Sequence, residues 1–151
     1  MNRDAVVNAA VLVLRVAIGA VLVVAGAGKA GHAAEFAAQI AGFRLLPQAI
    51  IGPMAVELPF IEIAVGALLI AGLFTRIAAW ISVVMLAAFD LAIASAVVRG
   101  MTVSCGCFGP NDKTVTTWAE VARDAVFVLL ALVVALRAPG MLALDRRTAR
   151  S

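Results

Sequence analysis

The sequence predicts an all-α fold: a polytopic membrane four-helix bundle with a short interfacial amphipathic helix after the first span, in one domain over residues 1–151. Composition is the first observation behind this. Hydrophobic residues make up 64% of the chain and charged residues 14%, against about 45–50% and about 25% in soluble domains. The second is that apolar stretches close to the roughly 20 residues needed to cross a hydrocarbon core recur along the chain. The third is a single amphipathic segment between the first two of them. Lipid offers no partners to backbone polar groups, so each crossing stretch is expected to be a helix.

The first stretch runs from about residue 5 to 28 and is broken only by Asn8 and Arg15. Arg3 before it and Ala25-Gly26-Ala27 within it resemble a signal peptide, but an h-region is normally about 7–15 residues, so a retained helix is expected. Residues Ala30 to Leu46 place Phe36, Ile40 and Phe43 on one helical stripe, with Glu35, Gln39 and Arg44 off it. That pattern predicts a short helix lying in the membrane interface and ended by Pro47. The second span is expected over about 53–73 and carries Glu57 and Glu62; the third, over about 77–98, carries Asp90. The Gly72-Leu73-Phe74-Thr75-Arg76 turn between them makes antiparallel neighbours. The fourth span is expected over about 118–136, with its charges at the start.

Net charge is +3, and the basic residues lack the interleaved aromatics of a nucleic-acid surface. They set topology instead. With four spans, Arg3, Arg76, Arg137, Arg146, Arg147 and Arg150 share one side, and Lys29, Arg44, Arg99 and Lys113 the other. The basic tail puts the termini in the cytoplasm of a bacterial inner-membrane protein. The loop between the third and fourth spans then faces outward, where disulfides persist.

That loop holds both cysteines, in Ser104-Cys105-Gly106-Cys107-Phe108-Gly109-Pro110. Residues i and i+2 reach disulfide distance if the chain bends between them, and Gly106 bends most freely. So short a bridge adds little stability. Strained or exposed bridges are labile, so exchange suits this pair better than stapling. Unreactive thiols remain open as an alternative, as do soft ligands for Cu(I) or zinc, with Met101 four residues away and His32 in a different outer loop. Thr117-Trp118-Ala119-Glu120 fits a capping box at the start of the fourth span. The helix terminus there would favour a Cys107 thiolate folded over it.

Arg15, Glu57, Glu62, Asp90, Arg123 and Asp124 fall within the expected spans. An unpaired charge at the bilayer centre costs about 2.5–3.5 kcal/mol, so these groups should face inward and pair. The rise along a helix groups Arg15, Glu62 and Asp90 deeper, with Glu57, Arg123 and Asp124 nearer the outer mouth. Such a network either holds the helices in register or lines a polar cavity that takes up protons or a quinone head group.

The chain resembles the MauE branch of the MauE/DoxX family of membrane proteins. The similarity lies in Arg15-Val-Ala-Ile-Gly19, Ala25-Gly26-Ala-Gly-Lys29, Pro53…Glu57-Leu-Pro59…Glu62…Gly66, Arg99-Gly100, Cys105-Gly-Cys107-Phe-Gly109 and Arg123-Asp124, in that order. The resemblance implies a redox-associated membrane protein, a component of thiol–disulfide oxidoreduction with a thioredoxin-like exported partner. In methylamine utilisation such proteins are thought to assist maturation of a disulfide-rich dehydrogenase subunit. The alternatives are a non-catalytic scaffold that docks a redox enzyme, and a metal or small-solute transporter.

Overall fold

The computed structural model describes residues 3–109 and 114–137. Pro110, Lys113, Arg146, Arg147 and Arg150, on which part of the loop and topology argument rests, lie outside the described residues. The fold is all-α. Helices α1 (Arg3–Lys29), α2 (Ala33–Gly42), α3 (Gln48–Ala71), α4 (Thr75–Val98) and α5 (Trp118–Arg137) follow one another. Three stretches, Ala5–Lys29, Gln48–Ala71 and Thr75–Val98, are long and apolar enough to cross a membrane. The expected fourth, α5, carries Glu120, Arg123 and Asp124 in its first two turns. It is also the shortest of the four at 20 residues, against 27, 24 and 24.

α3 begins at Gln48, five residues before the expected start. Pro47, extended at φ −61° and ψ 142°, caps it, and Pro53 and Pro59 fall inside the helix. Each of these prolines leaves a carbonyl of the preceding turn without its amide donor. The α3–α4 turn is the tight one expected. Gly72 takes the left-handed conformation and Leu73 N–H donates to the Leu68 carbonyl at 3.1 Å, closing the C-terminus of α3.

α1 packs along α3 at two glycine contacts. A Cβ on Gly66 would lie 2.5 Å from the Gly19 carbonyl oxygen, and one on Gly26 would lie 2.5 Å from that of Pro59. Backbones this close need residues without side chains, the small-residue contact common between membrane helices. The buried stripe of α1 is Val11, Arg15, Ile18, Leu22, Ala25 and Lys29, spaced three and four apart as one helical face requires. Ile18, Leu22, Val65, Leu69, Ala78, Ala79, Ala131, Val134 and Ala135 form the main core. Val13, Val84, Leu91 and Leu129 are 60–69% exposed, an outer apolar surface that suits lipid.

α2 keeps the predicted stripe but turns it inward. Phe36 and Phe43 are buried, whereas Glu35 and Arg44 are exposed. The helix ends at Gly42, not at Pro47.

Candidate functional site

The site is built where helices end at different heights. α1 stops at Lys29, whose Nζ sits 2.7 Å from the Glu62 carboxylate in the middle of α3 and 5.1 Å from the centre of the Phe89 ring on α4. Beyond that level α3 and α4 continue without α1 beside them. The space is filled by α2 and by residues 99–109 and 114–117 of the following loop, which meets the end of α1 at Gly109. A Cβ on Gly109, at φ 111°, would lie 2.5 Å from the Gly28 carbonyl oxygen. The cysteine loop is thus sunk among the helices rather than held above them.

Short backbone links shape the loop. Ser104 and Val115 form an antiparallel bridge, Cys105 N–H donates to the Thr114 carbonyl at 2.8 Å, and Thr116 N–H donates to that of Val103 at 3.0 Å. Cys105 and Cys107 are joined in a disulfide with their Cα atoms 5.4 Å apart. Gly106 makes the bend at φ 62°, against the side-chain amide of Gln39. Cys105 is buried at 7% exposure, while Cys107 remains partly exposed.

Cys107 does not fold over the tip of α5. Its Sγ lies 3.7 Å from an Asp124 carboxylate oxygen, six residues along the helix, or about 9 Å in at the usual rise. The neighbour of the sulfur is therefore a proton acceptor, not the positive end of a helix. Arg123 holds that carboxylate through Nε at 2.9 Å, stacks 5.8 Å from the centre of the Phe108 ring, and pairs with Glu120. The Glu120 carboxylate expected in a capping box is thus engaged one turn further along α5.

The intramembrane charges separate into groups. Glu62 pairs with Lys29, a residue whose position in the sequence predicts an outer loop; the two are 1% and 2% exposed. Lys29 was not part of the expected Arg15–Glu62–Asp90 network. Arg15 is equally buried, but fourteen residues from Lys29 along α1, about 21 Å at the helical rise. Asp90 has one carboxylate oxygen buried without a hydrogen-bond partner among the described residues. Glu57, expected to face inward, is exposed on α3. Two signals pointed to Lys29: its position in the Gly26-Ala-Gly28-Lys29 run and its spacing from Ala25 and Leu22 on the buried face.

Two cavities meet the cysteines. A space of about 30 Å³ is lined by Glu62, Cys107 and Asp124 among apolar side chains, roomy enough for a water. A larger one of about 220 Å³ has both cysteines and Gly106 in its wall. It is apolar, against the polar cavity the charged residues had suggested. Cys105, Cys107 and Asp124 place one donor atom each within 4.8 Å of one another. Chemically, the arrangement offers an accessible sulfur in a disulfide, a buried leaving sulfur and a carboxylate that can take up a thiol proton.

Residues 7–137 match the family model described as "Methylamine utilisation protein MauE". The chain is 34% identical over 127 residues to the methylamine utilization protein MauE of Paracoccus denitrificans, covering 83% of this chain and 68% of that one. It is 38% identical over 120 residues to the namesake in Paracoccus versutus, covering 79% and 64%. With that of Methylorubrum extorquens the identity is 32% over 104 residues, covering 68% and 56%. The chain thus matches about two thirds or less of the length of these relatives. No solved structure matches it.

Proposed function

The chain belongs to the MauE family, and from that premise we propose that it is the membrane component of an extracytoplasmic thiol–disulfide exchange system. The observation that carries this is the Cys105–Cys107 disulfide with Cys107 partly exposed 3.7 Å from the Asp124 carboxylate. A thiolate of an exported, thioredoxin-like dithiol protein attacks Cys107 Sγ and breaks the S–S bond, and Cys105 leaves as the thiolate. The partner's second thiol then displaces Cys107. Two electrons pass inward, the partner becomes a disulfide, and Cys105 and Cys107 become thiols. Asp124 exchanges protons with Cys107, and Arg123 positions Asp124.

In the proposed topology α5 is a fourth crossing, supported by the exposed Leu129 and Leu136 on its apolar half. α2 then lies at the outer interface, the termini in the cytoplasm, and the cysteine loop at the outer face of a bacterial inner membrane. The relatives' names support a place in methylamine utilisation, with maturation of a disulfide-containing exported protein as the task. Arg15, Glu57, Glu62 and Asp90 belong to the supporting charged set, Lys29 joining it as the partner of Glu62.

The double change Cys105→Ser with Cys107→Ser tests the proposal by complementation in a host that depends on the protein. An exchanger loses all function. Full function in the double variant would instead mark a scaffold that docks a redox enzyme. The three clustered donors favour one second reading, soft-metal binding by the reduced form. Stoichiometric zinc on the reduced protein, lost in the double variant, would identify it.

A further inference from the structure

The cavity of about 220 Å³ lies between α2, α3 and α4, with the disulfide forming part of its wall. Its lining is almost wholly apolar, and three phenylalanines, Phe36, Phe43 and Phe89, contribute to it. Among the described residues, Gln39 is the one polar side chain there besides the cysteines, and its Oε1 is buried without a hydrogen-bond partner. Leu45, Leu46 and Met54 also line the cavity and are 36–47% exposed, so it opens through an apolar rim.

These features restrict the occupant. A charged or strongly hydrated solute would lose its water with nothing to replace it. A cavity of about 150 Å³ with apolar walls already accepts a benzene ring, so this one has room for a substituted six-membered ring whose tail leaves by the rim. The phenylalanines offer faces and edges for such a ring to stack on. Gln39 offers both a donor and an acceptor, so it can bond a ring carbonyl in one state and a ring hydroxyl in the other. A ligand that is lipid-soluble, planar, and alternates between carbonyl and hydroxyl is a quinone.

We propose that this cavity is a quinone site and that a membrane quinone re-oxidises Cys105 and Cys107. The proposal rests on the exchange reading above and supplies its electron acceptor. Two S–H bonds break and the S–S bond forms. The two electrons and two protons pass to the two carbonyl oxygens of the quinone, which becomes the hydroquinone. Asp124, 3.7 Å from Cys107 Sγ, takes up the thiol proton during the step.

The test uses the full chain purified in detergent, reduced with dithiothreitol, desalted without oxygen and mixed with a short-chain ubiquinone or menaquinone. Hydroquinone formation is followed by ultraviolet absorbance and the thiols by alkylation. In parallel, the reduced chain is mixed with a water-soluble disulfide to measure exchange alone. The expected result is one hydroquinone per disulfide formed. Ala92→Phe, which fills the cavity, should lower the quinone rate relative to the exchange rate at least tenfold. Gln39→Leu should do so by raising the quinone concentration needed for half-maximal rate, and serves if Ala92→Phe does not fold. Exchange without quinone reduction overturns the quinone site and leaves the exchange proposal standing. Quinone reduction that neither substitution slows is bulk thiol chemistry, and also overturns the site. Absence of both reactions removes both proposals.

Discussion

Asp124 and Lys29 show how far single residues depart from what their sequence positions suggest. Asp124 was expected near the outer mouth; what the pattern did not reveal is that the loop sinks far enough for Cys107 to reach it. A contact between residues seventeen apart depends on the height of the loop, which no local periodicity encodes. Asp124→Asn keeps the shape and removes the proton acceptor. Removing a general base typically costs 10²–10⁴-fold, so exchange at neutral pH should slow about a hundredfold while the melting temperature changes little, as read by stopped-flow and circular dichroism. The Lys29–Glu62 pair makes a second prediction. Breaking a buried pair from one side costs about 3–5 kcal/mol, so Glu62→Gln or Lys29→Met should lower thermal stability in detergent sharply. The joint change Lys29→Met with Glu62→Leu should recover most of the loss, because no buried charge is left alone.

At the scale of elements, the helices were legible because apolar length and the 3.6-residue period are written directly into the chain. The turn at Gly72 and the stripe of Phe36, Ile40 and Phe43 were legible for the same reason. The direction in which that stripe faces was not: an amphipathic helix reads alike whether its apolar side meets lipid or protein. Nor was the start of α3 at Gln48, since two internal prolines disguise a continuous helix. The α1–α3 contact at Gly19 and Gly66 carries its own prediction. A Cβ on Gly66 would lie 2.5 Å from the Gly19 carbonyl oxygen and 2.8 Å from a Val23 methyl, so Gly66→Val must push the helices apart. Overpacking of this kind costs about 1–3 kcal/mol, measurable as a lowered unfolding midpoint in mixed micelles. The same change should loosen the loop that α1 supports through Gly28 and Gly109.

For the whole molecule, the decisive feature is the uneven height of the helices, which opens a recess over Lys29 and fills it with α2 and the cysteine loop. Composition announced the membrane, and the spacing of Cys105 and Cys107 announced that they can pair. The recess arises from tertiary packing of α1 against the middle of α3, and the charged residues gave no sign that the larger space beside the cysteines is apolar. The fold puts the Phe74 turn and the Cys107 loop at opposite ends of α4. In a chain with both native cysteines replaced by serine, single cysteines at Phe74 and Val115, which are 66% and 49% exposed, should react with an impermeant maleimide from opposite faces of sealed vesicles. Labelling of both from one face would refute the proposed crossings.

The most direct measurement is the fate of Cys107 when its partner sulfur is removed. Cys105→Ser leaves Cys107 a lone, partly exposed thiol. Its thiolate attacks the disulfide form of the exported partner, and one partner sulfur leaves as thiolate. No second cysteine on this chain releases the mixed disulfide, so acid-quenched membranes run on a non-reducing gel should show a dithiothreitol-sensitive adduct with that partner. That adduct should be absent when both cysteines are serine. Free thiols at Cys105 and Cys107 throughout the wild-type population, with no adduct in the Cys105→Ser variant, would contradict an exchange function.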